Sequence, residues 1–270
     1  MKKAILSGVL AALCATMAPS AYAAETETPI IEFHTNIFET YGPTNAFHIV
    51  LGAKEDTYVD IDCGFGTFEA EVGQAVFDQD NQSIKATSIS CTVSEEGIVR
   101  LYGDASKIDY LDCEGCYIDR ISFPSLTEIA ILDLSHNELK SLDLSHMSKL
   151  ESLTLTDNPF DETPLIIGDN KPRLTILEMS IVGHLDQSFN LSDYPALASF
   201  EAYHCDELYT LDPTGCPELL RLSVDVTPLK TLDISKNTSL LILNISDTHI
   251  TSIDLSNNPY LPFWFFRLHI

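Results

Sequence analysis

Cys113 and Cys116, separated by Glu114 and Gly115, come closer to a reactive motif than any other pair of residues in the chain. A Cys-x-x-Cys can carry out disulfide exchange or supply half of a zinc site. No second Cys-x-x-Cys completes the four ligands of a structural zinc, and no strand–helix–strand pattern surrounds the pair as in a thioredoxin-like motif. Other residues capable of chemistry are dispersed. The eight histidines are scattered, with no His-Glu-x-x-His, no Gly-x-Ser-x-Gly and no phosphate-binding glycine loop. Asp112 and Asp133 would stand about 5 Å apart on neighbouring strands, a spacing that suits a retaining glycosidase. Acids on an open face, however, lack the pocket that tunes one of them as a general acid. The sequence therefore reads as a non-enzyme, with no catalytic set, no metal site and no cofactor.

The elements that carry these residues account for the spacing. From Ile108 to Leu261 one apolar pattern returns about every 21 residues. The plainest copy runs Ile129, Leu132, Leu134, Asn137, Leu139, Leu142 and Leu144, and restarts at Leu150. Leu219 opens another (Leu222, Val224, Thr227, Leu229, Leu232, Ile234), as does Leu240 (Leu243, Ile245, Thr248, Ile250, Ile253, Leu255). In the copy from Ile108, Leu111 is followed by Cys113 and Cys116 at inward places. Burial in a core thus explains both thiols better than reactivity does. The spacing L-x-x-L-x-L-x-x-N/C-x-L is the signature of leucine-rich repeats. Each copy holds a short strand, such as Leu132-Asp133-Leu134, and copies must stack because one repeat cannot bury its own apolar face. Asn137, Asn158, Cys116 and Cys205 at the ninth place turn inward, where a side chain can satisfy backbone groups of the bend. The middle copies are longer: Leu150 to Leu174 spans 24 residues, Leu174 to Leu197 spans 23, and Leu197 to Leu219 spans 22. The extra length, carried in the first case by Asp161 to Lys171, is expected to bulge out as loops.

Before the repeats the period changes. Ile30 to Phe33, Ala46 to Leu51, Tyr58 to Cys63, Thr67 to Val72 and Lys85 to Val93 read as strands broken by Gly, Pro, Asn and Asp. A transitional copy beginning near Ser88, with Cys91, Val93, Ile98 and Leu101 on the template, is expected to cap the repeat core. Met1 to Ala23 reads as a secretory signal: Lys2 and Lys3, an apolar stretch from Ala4 to Met17, and Ala21-Tyr22-Ala23 as the cleavage site. No segment is apolar for long enough to span a membrane. The division is thus 1–23 signal peptide, 24–95 small all-β domain, and 96–270 repeats, about seven to eight of them with the last incomplete. The fold class is a mainly β leucine-rich repeat solenoid of short parallel strands joined by turns or 3-10 segments, preceded by a small all-β domain. The net charge of −25 argues against nucleic acid, whose binding needs Lys and Arg against phosphate, and disfavours anionic lipid. Export permits disulfides among Cys63, Cys91, Cys113, Cys116, Cys205 and Cys216, and six cysteines allow 15 pairings.

Several stretches carry a resemblance. Leu142-Asp143-Leu144-Ser145, Leu232-Asp233-Ile234-Ser235-Lys236-Asn237 and Ile253-Asp254-Leu255-Ser256-Asn257-Asn258 match repeats written LtsLDvSxNxxLtsL. Val99 to Ile108 and Tyr110-Leu111-Asp112-Cys113 match at the domain junction. The chain resembles the secreted leucine-rich repeat proteins of Bacteroidota-type bacteria, with internalin-like short repeats behind a small β-domain. Val59-Asp60-Ile61-Asp62-Cys63-Gly64-Phe65-Gly66-Thr67 is similar to that family's V-D-W-G-D-G-T turn. Cys63 replaces the aromatic and Phe65 the acid, so a tight hairpin is expected in place of a cation or polar role. The resemblance implies a secreted or cell-surface binding role. Asp143, Asp233 and Asp254 in the second half-repeat are expected to satisfy turn amides.

The site expected is the concave strand face. The residues flanking the core leucines there include Tyr110, Asp112, Ile131, Asp133, Thr154, Ile176, Glu178, Glu201, Tyr203, Arg221, Asp225, Ile242 and Asn244. This mixture of aromatic, aliphatic, Arg and carboxylate is that of a protein interface, and extended concave faces are what solenoids use to bind. The expected function is a protein–protein interaction, as in adhesion or contact with a host, by a secreted or surface protein cleaved near Ala23. The alternative is glycan binding, with Tyr110 and Tyr203 as planes for sugars. Trp264 and Phe266 fall on the core places of one further strand, with Phe263 and Phe265 beside them, so this end is expected to be either a truncated array or an edge for self-association.

Overall fold

The computed structural model describes residues 28–37, 46–78, 83–124, 128–160, 165–169, 171–182 and 190–262. The signal-like start and the Phe263 to Phe266 edge lie outside the described residues. The amino-terminal part supplies β1 (Ile31–Thr35), β2 (Ala46–Ala53), β3 (Thr57–Asp62), β4 (Thr67–Val72), β5 (Val76–Asp78), β6 (Ser83–Lys85), β7 (Thr87–Thr92) and β8 (Ile98–Gly103). The repeats supply β9 (Ile108–Asp112), β10 (Ile118–Ser122), β11 (Ile131–Asp133), β12 (Ser152–Thr154), β13 (Ile176–Glu178), β14 (Ser199–Glu201), β15 (Arg221–Ser223) and β16 (Ile242–Asn244). A 3-10 turn covers Leu191–Asp193. The fold is a β-solenoid with a period of about 22 residues behind an antiparallel sheet region, as the repeat spacing requires.

Seven repeat strands pair in parallel and in register. Leu111, Leu132, Leu153, Leu177, Phe200, Leu222 and Leu243 sit side by side across β9 and β11 to β16. Alternation along each strand turns this row into the core, where all seven are buried. The longer copies keep the same register, so their extra residues are absorbed away from the strands. Lys171 departs from the expectation that it belongs to a bulge. It is buried, and its Nζ donates to the carbonyls of Leu144 at 2.8 Å and Ser145 at 3.2 Å. Burial lowers its pKa, while Asp143 and Asp169 oppose that shift.

The two sequence segments are not separate sheets. The nine-stranded sheet runs β16-β15-β14-β13-β12-β11-β9-β2-β7, so β2 and β7 extend the repeat ladder by antiparallel pairing. The second sheet, β10-β1-β8-β3-β4, takes in β10 from the first repeat. This overturns the transitional copy expected from Ser88 to Leu101. β7 is an edge strand against β2, β8 lies in the other sheet between β1 and β3, and the cap on β9 is β2. Phe33 and Phe47, with ring centroids 5.2 Å apart, pack between the two sheets. β3 and β4 form the expected hairpin, and Asp62 Oδ1 accepts the Gly64 amide at 2.8 Å within its loop. Cys63 in that loop is bonded to Cys91 on β7, tying one sheet to the other across 28 residues of chain. In the chain-entropy account a loop of this size contributes about 3.5 kcal/mol.

Behind the strands, polar side chains run in two buried ladders. In the first, Asn137 Oδ1 accepts the amides of Cys116 and Ile118, both at 3.0 Å, and Nδ2 donates to the carbonyls of Cys113, Leu134 and Ser135. Asn158 repeats this with Leu139, Leu134 and Leu155. Cys205 donates to the Met179 carbonyl, and Cys116 reaches the His48 carbonyl on the cap strand. Thr227 and Thr248 bond only within their own repeats, to Val224 and Ile245. The second ladder was not read from the sequence. Lys171, Cys216, Asn237 and Asn258 each donate to carbonyls of the repeat before. The residue just ahead of each first-ladder place has positive φ: Gly115, His136, Asp157, Ile181, His204, Val226 and Asp247, at φ from 54° to 66°.

Two outcomes follow for stability. Asn137→Ala leaves several buried backbone groups unpaired, and at about 1–3 kcal/mol for each unsatisfied group the total loss is expected near 3 kcal/mol. Urea unfolding checks this, and a loss below about 1 kcal/mol would contradict the ladder's role. Val226→Asn places a residue that tolerates the left-handed region where a β-branched one is strained, and is expected to gain about 1 kcal/mol in the same assay. An unchanged or lower midpoint would contradict that strain.

Candidate binding surface

On the strand face two rows of side chains stand in register. The first row reads Tyr110, Ile131, Ser152, Ile176, Ser199, Arg221 and Ile242 across the sheet. The second reads Asp112, Asp133, Thr154, Glu178, Glu201, Ser223 and Asn244. The pleat sends both rows away from the core, about 7 Å apart along each strand, while neighbours across the sheet are about 4.8 Å apart. The residues expected to form the site are thus on one face, with Tyr203 and Asp225 just beyond the strand ends.

Not all of them are available. Tyr110 is buried, at 8% exposure, which corrects its expected role as a contact residue. It pairs with Gly52 on β2. A Cβ on Gly52 would lie 2.5 Å from the Ala75 Cβ and 3.0 Å from the Tyr110 Cβ, so the segment around Ala75 closes over this end of the face. The Tyr110 hydroxyl points to Asp112 Oδ2 at 3.5 Å, and burial raises its pKa, with Asp112 and Asp133 adding to the shift. Ile176, Tyr203 and Ile242 are 38%, 42% and 46% exposed. Ile131 and Thr154 are half-buried.

Several of the polar residues serve their own turns. Asp112 Oδ1 accepts the Glu114 amide at 3.0 Å, and Asp133 Oδ1 accepts the amide and hydroxyl of Ser135. Ser223 donates to Asp225, and Asn244 accepts the Ser246 amide. Arg221 forms an ion pair with Glu201 on the adjacent strand. Burial raises the pKa of Glu178, and the neighbouring Glu201 and Asp133 raise it further while Arg221 opposes them. Asp133 shifts upward as well, first through burial, with its Ser135 hydrogen bonds opposing and Asp112 adding. On the return side, Asp143, Asp233 and Asp254 accept the amides of Ser145, Ser235 and Ser256, the turn role expected of them.

The face also reaches further than the repeats. His48 and Val50 on β2, and Ser88 and Ser90 on β7, point the same way as Asp112, because β2 pairs with β9 and β7 with β2. His48 contacts the Ser90 hydroxyl at 2.7 Å and the Ser88 hydroxyl at 3.3 Å, which leaves no carboxylate on its ring nitrogens to make a nucleophilic triad. Only the alternation of exposed residues in β2 could have signalled this extension. At the other end, Arg221, Ser223, Ile242, Asn244, Leu261 and Pro262 border a hollow of about 500 Å³.

The thiols do not form a reactive centre. Cys113, Cys116, Cys205 and Cys216 are buried and unpaired with one another. Burial raises Cys113 and pushes Cys116 up to about 12 and Cys205 and Cys216 to about 11, so they stay protonated at neutral pH. Among the described residues no three His, Cys, Asp or Glu side chains are gathered as metal ligands, and no helix is long and apolar enough to cross a membrane.

No family model matches the chain, and no curated protein matches it. Among solved structures it is similar to the functional domain of InlJ from Listeria monocytogenes, which includes a cysteine ladder. The identity is 20% over 60% of this chain and 45% of that one, with a TM-score of 0.33. This chain thus spans less than half the length of that one.

The raised Glu178 pKa has a consequence for stability. An acid whose pKa is higher in the folded state binds more protons there, so stability falls as pH rises above the usual carboxylate range. Glu178→Gln is therefore expected to melt higher than the parent at pH 7. The advantage should shrink as the pH falls through the raised pKa of the folded state and be gone below the ordinary glutamate pKa. A variant less stable at pH 7, or an advantage that does not change with pH, would contradict this reading.

Proposed function

We propose that the protein is an exported or cell-surface recognition protein that binds another protein through the strand face of its repeats. The observation that carries this reading is the exposure of Ile176, Ile242 and Tyr203 on one regular sheet face, next to Arg221 and a row of acids. Exposed aliphatic and aromatic residues gathered on a charged protein mark interaction surfaces, and Tyr and Arg carry much of the energy of such contacts. The signal-like sequence from Met1 to Ala23 supports export, and adhesion or contact with a host is the setting we propose. Glycan binding is the weaker reading, because burial of Tyr110 leaves Tyr203 alone as a plane for a sugar.

The test uses residues 24–270 against paired panels of extracellular proteins and polysaccharides, beside Ile176→Glu/Ile242→Glu. The expected outcome is a protein ligand whose affinity for the double variant drops at least tenfold, or about 1.4 kcal/mol. Ligands confined to polysaccharides, or a protein ligand bound equally by the folded variant, would overturn the proposal.

A further inference from the structure

The order of the two rows says what chemistry a partner must bring. Ile131 and Ile176 stand on strands two apart, and Ile242 three strands beyond Ile176. At about 4.8 Å per strand their separations are roughly 10 and 14 Å. Beside them, one pleat along each strand, lie Asp133 and Glu178. The only basic side chain in either row is Arg221, and it is already paired with Glu201. Resting on the binding role proposed above, we infer that this face takes a basic amphipathic helix laid across the strands. Its apolar stripe would cover the three isoleucines, and Lys or Arg on one flank would meet the acids.

Three observations converge on that occupant. A helix advances 1.5 Å per residue, so positions seven apart lie about 10 Å from one another on one face, and a stripe with apolar residues every three or four positions continues across the further 14 Å or so. The 10 Å from Ile131 to Ile176 is the separation that discriminates, because an extended strand repeats on one face at about 7 and 14 Å. The charge is complementary: the chain carries 40 acidic residues against 15 Lys and Arg, and the acids of this face crowd one another. A helix that brings cations removes that repulsion, while an acidic one adds to it. The apolar row separates this from diffuse attraction between opposite charges, because a cation without an apolar stripe leaves Ile176 and Ile242 in water.

The test is titration of residues 24–270 with three 18-residue probe peptides by fluorescence anisotropy. The first is a Leu/Lys helix with leucines on one stripe, the second has the same composition with the stripe scrambled, and the third carries Glu in place of Lys. The expected result is saturable binding of the first peptide, at least tenfold tighter than of the other two. Ile176→Ser/Ile242→Ser and Asp133→Asn/Glu178→Gln should each weaken it by fivefold or more. Asp133→Asn keeps a turn acceptor for Ser135, and circular dichroism confirms that each variant is folded. Equal binding of the first two peptides reduces the effect to bulk charge and overturns the inference, as does absence of binding. The two proposals fail differently. A protein ligand lost on Ile176→Glu/Ile242→Glu but held as tightly, or more tightly, by Asp133→Asn/Glu178→Gln would keep the recognition role and overturn the basic helix.

Discussion

The fold depends on how the carbonyls and amides behind each strand find partners. A parallel strand of three residues gives few ladder hydrogen bonds, and the chain must then turn sharply to come round to the next strand. The turn leaves buried backbone groups that water cannot reach, each a cost unless satisfied. Asn137 meets five of them with one amide, on its own repeat and on the one before. Where the first ladder weakens to Thr227 and Thr248, the second takes over with Asn237 and Asn258, which bridge repeats from the opposite side. The apolar rows would stack in any solenoid. The ladders fix where each turn lies, and hence the register of the exposed rows on the other face.

The cap matters to the surface as much as to the core. An open solenoid end presents unpaired strand groups and apolar side chains. Here β2 pairs antiparallel with β9, and β10 of the first repeat joins β1 in the second sheet, so cap and repeats share hydrogen bonds on both sides. Closure has a local cost for recognition: the cap covers Tyr110 at one end of the face. It also adds His48 and Ser90, side chains from outside the repeats, to the same surface.

The repeat architecture was legible because its period is carried by residue types that leave little choice. Leucines at fixed spacing and Asn137 and Asn158 behind them specify strand, turn and inward face at once. Cys113 and Cys116 were correctly read as packed thiols for the same reason. The second ladder was hidden because its donors are Lys171, Cys216, Asn237 and Asn258, and only the last two share a type. Lys171 misled most, since a charged residue inside a longer copy resembles loop. Tyr110 looked accessible because its repeat position says so. Its burial comes with the pairing of β9 to β2, where its partner Gly52 lacks a side chain and so admits Ala75, distant in sequence, at this end of the face. The cap was misread because Cys91, Val93, Ile98 and Leu101 fit the repeat spacing, while antiparallel pairing with β2 and β1 places them elsewhere.

The most direct test of the recognition surface is hydroxyl-radical footprinting with mass spectrometry, on residues 24–270 alone and bound to a captured protein partner. Tyr203, Ile176 and Ile242 report on the strand face, while Tyr209 and Tyr260, 54% and 67% exposed on the return segments, serve as controls within the same molecule. Binding through the strand face predicts that oxidation of the first three falls severalfold and that of the two controls is unchanged. Protection of Tyr209 and Tyr260 with the strand face still open would contradict the account.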